Sequence, residues 1–143
     1  MNGDSRGVSV YNRAFVLDTA ALLLGFTAEE DTYTTEENIK EVKHDELKVA
    51  RLQAMLDSGA IKTIKPTLAS LNTVQQKSRT LKINLSRADT TLLAAALDLR
   101  VKYESLTVVT DDYAVQRLAA ELGLNYIPLK LPGIRKNRHR PIK

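Results

Sequence analysis

From residue 13 to residue 129 the chain alternates short β-prone runs with helical segments, and this alternation restricts its fold more than any other feature. The runs are 13–17 (RAFVL), 61–64 (IKTI), 106–110 (LTVVT) and 125–129 (NYIPL). Between them, residues 19–24 (TAALLL) predict a short helix closed by Gly25, residues 46–57 a helix stopped by Ser58-Gly59, and residues 111–122 a helix stopped by Gly123. Thr34 and Glu37 have capping-box spacing for a helix to Lys43, after a polar connection at Glu29, Glu30 and Asp31. Ser86 and Asp89 have the same spacing before a strongly helical run to Lys102, and residues 67–79 place Leu68, Leu71 and Val74 on one helical face. Strands separated by helices cannot pair through tight turns, so they pair in parallel through crossovers that cover the sheet. The expected fold is therefore α/β: a three-layer α/β/α, Rossmann-like sandwich around a mostly parallel central sheet. It spans residues 13–129, with an N-terminal extension at 1–12 and a basic tail at 130–143.

Composition narrows the chemistry. No apolar run approaches the roughly 18 residues that suggest a membrane span, and the first residues lack the apolar middle of a signal peptide, so a soluble cytoplasmic protein without membrane contact is expected. There is no cysteine, and there are only two histidines, so any metal must be held mainly by oxygen. Residues 130–143 hold six cations and no acid, whereas the preceding residues hold 15 cations against 17 acids. A basic arm on a mildly acidic body suggests a polyanionic partner, with Arg135, Lys136, Arg138, Arg140 and Lys143 as candidate nucleic-acid contacts, although a merely solvated terminus has the same composition. Five tyrosines and two phenylalanines are too few for extensive base stacking. Tyr33 and Tyr113 are the candidates for it; half-buried packing is the plainer role.

Acids stand where such a fold binds ligands. In an open parallel sheet that place is outside the carboxyl ends of the strands. Asp18 and the pair Asp111-Asp112 follow two strand runs directly, Asp89 opens a helix, and Glu41, with Glu37 one turn earlier, lies on another. Helix capping explains Asp18 and Asp111 one at a time and leaves Asp112 as the surplus acid, though helix dipoles also favour first-turn acids. Converging carboxylates repel unless a cation neutralises them. An all-oxygen set selects Mg²⁺ or Mn²⁺, which suits phosphodiester hydrolysis.

The stretches FVLDTAALL (15–23), YTTEENIKEV (33–42), LSRADTTLLAAAL (85–97) and TDDYAVQRLAAELGL (110–124) resemble the PIN-domain nucleases. More narrowly, they are similar to the Nob-type branch, archaeal in style, which matures the 3′ end of small-subunit ribosomal RNA. The resemblance implies a PIN fold and catalytic, metal-binding acids at Asp18, Glu41, Asp89 and Asp111, with Asp112, Thr19 and Thr110 as auxiliary groups. It implies Mg²⁺ or Mn²⁺ as cofactor, water as the nucleophile and single-stranded RNA as substrate, with pre-ribosomal small-subunit RNA or its particle as partner. Glu37 competes with Glu41 for the helix position, and the YTT spacing favours Glu41. A homodimer is compatible with the resemblance. The sequence lacks the cysteines of the zinc ribbon that usually follows a Nob-type PIN domain, which places the ribosomal substrate in question but not the acid set.

Two other readings share the fold: a toxin ribonuclease of a toxin–antitoxin pair, and a non-catalytic RNA-binding assembly module. A module freed from catalysis has no reason to keep several repelling carboxylates. A phosphate-accepting receiver domain expects its acid pair after the first strand, whereas here the pair opens the last helical unit.

Overall fold

The computed structural model describes residues 12–42 and 46–129. Five strands form one parallel sheet in the order β3-β2-β1-β4-β5, with β1 at Arg13–Leu17, β2 at Asp31–Thr34, β3 at Lys62–Thr63, β4 at Ser105–Val109 and β5 at Asn125–Ile127. Six helices connect them: α1 (Thr19–Leu23), α2 (Glu36–Lys40), α3 (Glu46–Ser58), α4 (Leu68–Leu81), α5 (Arg87–Arg100) and α6 (Tyr113–Glu121). The sandwich is the expected one, and every strand pair is parallel.

β1 and β4 are central because they are apolar on both faces, and alternation sorts their side chains between two cores. Ala14, Val16, Leu106 and Val108 pack with Val74 of α4, Leu92, Leu93 and Ala96 of α5, and Val115 and Leu118 of α6. Leu17 and Val109 point the other way, toward Ala21 and Leu22 of α1, Leu52 of α3, and Val42 and Ile61. The reversal of strand order between β1 and β4 opens a crevice at their carboxyl ends.

Several local expectations change. β2 falls where the sequence predicts the end of a polar connection at Asp31 and a helix cap at Thr34, yet its DTYT sequence pairs with β1 in the register Phe15↔Thr32. Its threonines and tyrosine suit a pleated surface despite their polarity, and buried Thr34 donates its hydroxyl to the Leu17 carbonyl at 2.9 Å. With Thr34 in the strand, Thr35 becomes the cap of α2, accepting from the Asn38 amide, and the helix ends at Lys40. Leu68 is 78% exposed, so the buried face of α4 begins at Leu71 and Val74. That helix runs on to Leu81, where Lys82 closes it in the left-handed region at φ 58°. Gly25, at φ +75°, takes the chain out of α1, where an added Cβ would lie 3.3 Å from the Arg51 guanidinium.

Candidate active site

The crevice is built from the ends of β1 and β4. The Asp18 amide donates to the Val109 carbonyl at 3.3 Å, joining the two strand ends directly. Asp18 caps α1 by accepting from the Ala21 amide at 2.8 Å through Oδ1 and is almost wholly buried. Burial pushes its pKa up; the Thr110 hydroxyl and Ala21 amide pull it down, and Asp111 and Asp112 push it up again. Thr110 is fully buried, and its oxygen accepts from the Asp112 amide at 3.1 Å, so one hydroxyl serves both strand ends.

The cap of α6 is Asp112 and not Asp111, the reverse of the capping expectation. Asp112 caps α6, accepting from the Ala114 and Val115 amides at 2.9 and 3.2 Å, whereas Asp111 accepts from the Leu129 amide at 2.6 Å. The strand ends at Val109 and Thr110 completes the turn, which shifts the cap by one residue. Capping and ligation are not alternatives here, since a carboxylate that caps through one oxygen keeps the other.

Asp89 lies in the first turn of α5, whose cap Ser86 accepts from the Asp89 amide at 3.1 Å. Its carboxyl is pushed up to about 6, first by burial and then by the charges of Asp112, Asp18 and Glu41, against the lowering effect of Ser86. Glu41, at the end of α2, accepts from the Thr19 hydroxyl at 2.7 Å. Glu37 instead pairs with Arg87 at 3.3 Å and lines an adjoining cavity.

Asn38 is a member of this group that sequence reasoning passed over. It is fully buried; its Oδ1 accepts from the Thr35 hydroxyl at 2.6 Å, and its amide donates to Thr19 Oγ1 at 3.2 Å. With Thr19 donating to Glu41, a directed chain runs Thr35 to Asn38 to Thr19 to Glu41. Its signal in the sequence is an asparagine, a neutral side chain, among the charged residues of a short helix.

Asp18 thus feels the charges of Asp111 and Asp112, and Asp89 those of Asp112, Asp18 and Glu41, so Asp18, Asp89 and Asp112 link the group. Among the described residues no lysine or arginine pairs with any of the five. Nor do three acidic or histidine groups among them already form a coordination cluster. The donor set nonetheless fits a hard divalent ion, being all oxygen, mutually repelling and without a protein cation. Tyr33 is turned away: its hydroxyl meets that of Tyr103 at 2.6 Å, and Tyr103 donates to Asp31 at the start of β2. Tyr113 is 77% exposed beside Asp112. The basic tail from Lys130 onward, with Arg135, Lys136, Arg138, Arg140 and Lys143, lies outside the described residues.

No family profile matches the chain. It is 34% identical over 137 residues to Ribonuclease VapC3 of Aeropyrum pernix, an alignment covering 93% of this chain and 99% of that protein. It is 36% identical over 123 residues to Endoribonuclease Nob1 of Pyrococcus abyssi, covering 85% of this chain and 71% of the relative. It is also 30% identical over 112 residues to Endoribonuclease Nob1 of Methanocaldococcus jannaschii, covering 76% and 53%. FitAcB from Neisseria gonorrhoeae superposes with TM-score 0.52 at 17% identity, over 79% of this chain and 96% of that one, a likeness of fold. With the five-stranded parallel sheet and these relatives, the chain belongs to the PIN-domain ribonucleases, close to their Nob-type members.

Proposed function

We propose that this protein is a cytoplasmic endoribonuclease that hydrolyses phosphodiester bonds of single-stranded RNA with Mg²⁺ or Mn²⁺. The observation that carries the reading is a set of five carboxylates at the β1/β4 switch point with no cation paired to them among the described residues. Asp18, Glu41 and Asp89 would hold the ion together with the Asp111-Asp112 pair. When bound, the ion supplies an activated water and stabilises charge on the leaving oxygen.

The protein's own groups do the positioning. Thr110 and the Ala21 amide fix one side of Asp18, and Thr19 fixes Glu41 against rotation. Burial of Asp18 excludes water from one side of the site, which strengthens its field on whatever enters. Exposed Tyr113 offers a stacking surface for a base next to Asp112.

The direct test is cleavage of unstructured RNA with Mn²⁺ by the wild type and by Asp18→Asn. Loss of cleavage in the variant supports the reading, and equal cleavage by both rejects it. The likeness to Nob1 endoribonucleases supports extending the proposal to 3′-end maturation of small-subunit ribosomal RNA, and accurate cutting of a precursor spanning that end, against scattered cutting, tests it. A second reading, the toxin ribonuclease, has one observation in its favour: the match to Ribonuclease VapC3 extends over 99% of that protein. Growth arrest on expression, dependent on Asp18, would select it.

A further inference from the structure

The acid crevice creates a difficulty for an RNA-cleaving enzyme, because the surface that holds the ion repels every phosphate other than the one it acts on. The chain answers this with a different surface. Residues 58–88 contain Lys62, Lys65, Lys77, Arg79, Lys82 and Arg87, and not one Asp or Glu. This stretch runs from the end of α3 through β3 and α4 to Ala88, the second residue of α5 and the neighbour of Asp89.

Two adjoining cavities run along it. One, of about 360 Å³, lies among the ends of β2 and β3 and the starts of α2, α4 and α5; there Lys65 and Arg87 balance Glu36 and Glu37. The second, of about 430 Å³, lies between α4 and α5 and is lined by Gln75, Arg79, Asn84 and Arg87, with no acid. Both include Leu71, Arg87 and Thr91, so they form one trough that begins beside the end of α5 carrying Asp89. Arg87 spends only its Nε on Glu37, which leaves both terminal amino groups free to bind an anion. Arg79 forms no ion pair among the described residues, and Gln75 and Asn84 add neutral amide donors. No aromatic side chain lines either cavity, so the trough grips a backbone and does not read bases.

We propose that the α4–α5 trough binds the phosphate backbone of the RNA flanking the cut, with Arg79 and Arg87 each neutralising one phosphate. The proposal rests on RNA being the substrate, as argued above. It makes binding strength and chemistry separable: the trough holds the strand, and the acids act on it.

The test is fluorescence anisotropy of a labelled short oligouridylate between about 50 and 200 mM salt, with Ca²⁺ replacing Mg²⁺ so that the strand stays intact. For single strands, each lost phosphate contact lowers the slope of log Kd against log salt by about 0.7. Arg79→Gln should lower the slope by that amount, and Arg79→Gln/Arg87→Gln by about 1.4, with unchanged thermal unfolding for the exposed Arg79 variant. Lys102→Gln, which removes the same charge beyond the opposite end of α5, should leave the slope unchanged. Wild-type slopes in both trough variants would overturn the trough while leaving the ribonuclease reading standing. Failure of the wild-type protein to bind the oligonucleotide at all would overturn both.

Discussion

The Thr19 hydroxyl donates to Glu41 Oε1 at 2.7 Å, tying the first residue of α1 to the last turn of α2 across 22 positions of sequence. The bond brings Glu41 beside Asp18 by way of the residue next to it, and fully buried Asn38 holds the same hydroxyl from behind. Thr19→Val keeps the shape and removes the donor. Stability should fall by about 1 kcal/mol, the net value of one such bond, while Mn²⁺ affinity falls about 10-fold or more as Glu41 loses its orientation. Calorimetric titration with Mn²⁺ measures the second effect independently of turnover.

Asn38→Leu should cost more stability, about 1–3 kcal/mol, because it strands the hydroxyl of fully buried-side Thr35 without its acceptor and deprives Thr19 of a donor. Urea unfolding of the metal-free protein reads this directly. A loss well below that range would mean that the two threonines find other partners.

Asp18→Asn and Asp18→Ala should separate the two jobs of that side chain. Asparagine can still accept from the Ala21 amide and removes a buried charge, so the metal-free variant should unfold at or above the wild-type temperature. Alanine gives up the cap and loses about 1 kcal/mol relative to asparagine. Both should lose cleavage by more than the roughly 100-fold typical of groups that only orient ligands. A stable, inactive Asn variant identifies the charge, not the cap, as the functional element.

The pH dependence follows from Asp89. Its carboxyl, raised from 3.8 to about 6, binds a proton more tightly folded than unfolded. The metal-free fold is therefore favoured at low pH and loses stability as pH rises from about 4 to 6, with the full penalty present above the folded value. Asp18, raised in the same direction, adds to the slope. Thermal unfolding across this window should show the decline, reduced in Asp89→Asn and reversed by saturating Mn²⁺. A stability flat over that range would contradict the burial and repulsion assigned to Asp89.

Asp111→Asn and Asp112→Asn distinguish the members of the pair. Asp112 raises both Asp18 and Asp89, whereas Asp111 acts on Asp18 and is bound to the Leu129 amide. Mn²⁺ affinity should therefore fall further in the Asp112 variant. The opposite order, read by titration, would make Asp111 the stronger ligand of the two.

The parallel sandwich and its acid-bearing strand ends were legible in the sequence because they follow from local rules. Runs such as RAFVL and LTVVT, short and bounded by helical segments, read as strands of a covered sheet, and helices between them force parallel pairing. β2 was not legible, since DTYT has no apolar pattern and becomes a strand only by pairing with β1 and bonding its threonine to the Leu17 carbonyl. The cap of α6 shows the same limit. Adjacent aspartates are chemically identical in sequence, and only the backbone direction after Val109 decides that Asp112 turns toward the helix while Asp111 reaches Leu129. Residue type settled which chemistry the crevice has available. Which carboxylates share it, and which hydroxyls and amides orient them, depended on contacts between segments far apart in the chain, where no local preference operates.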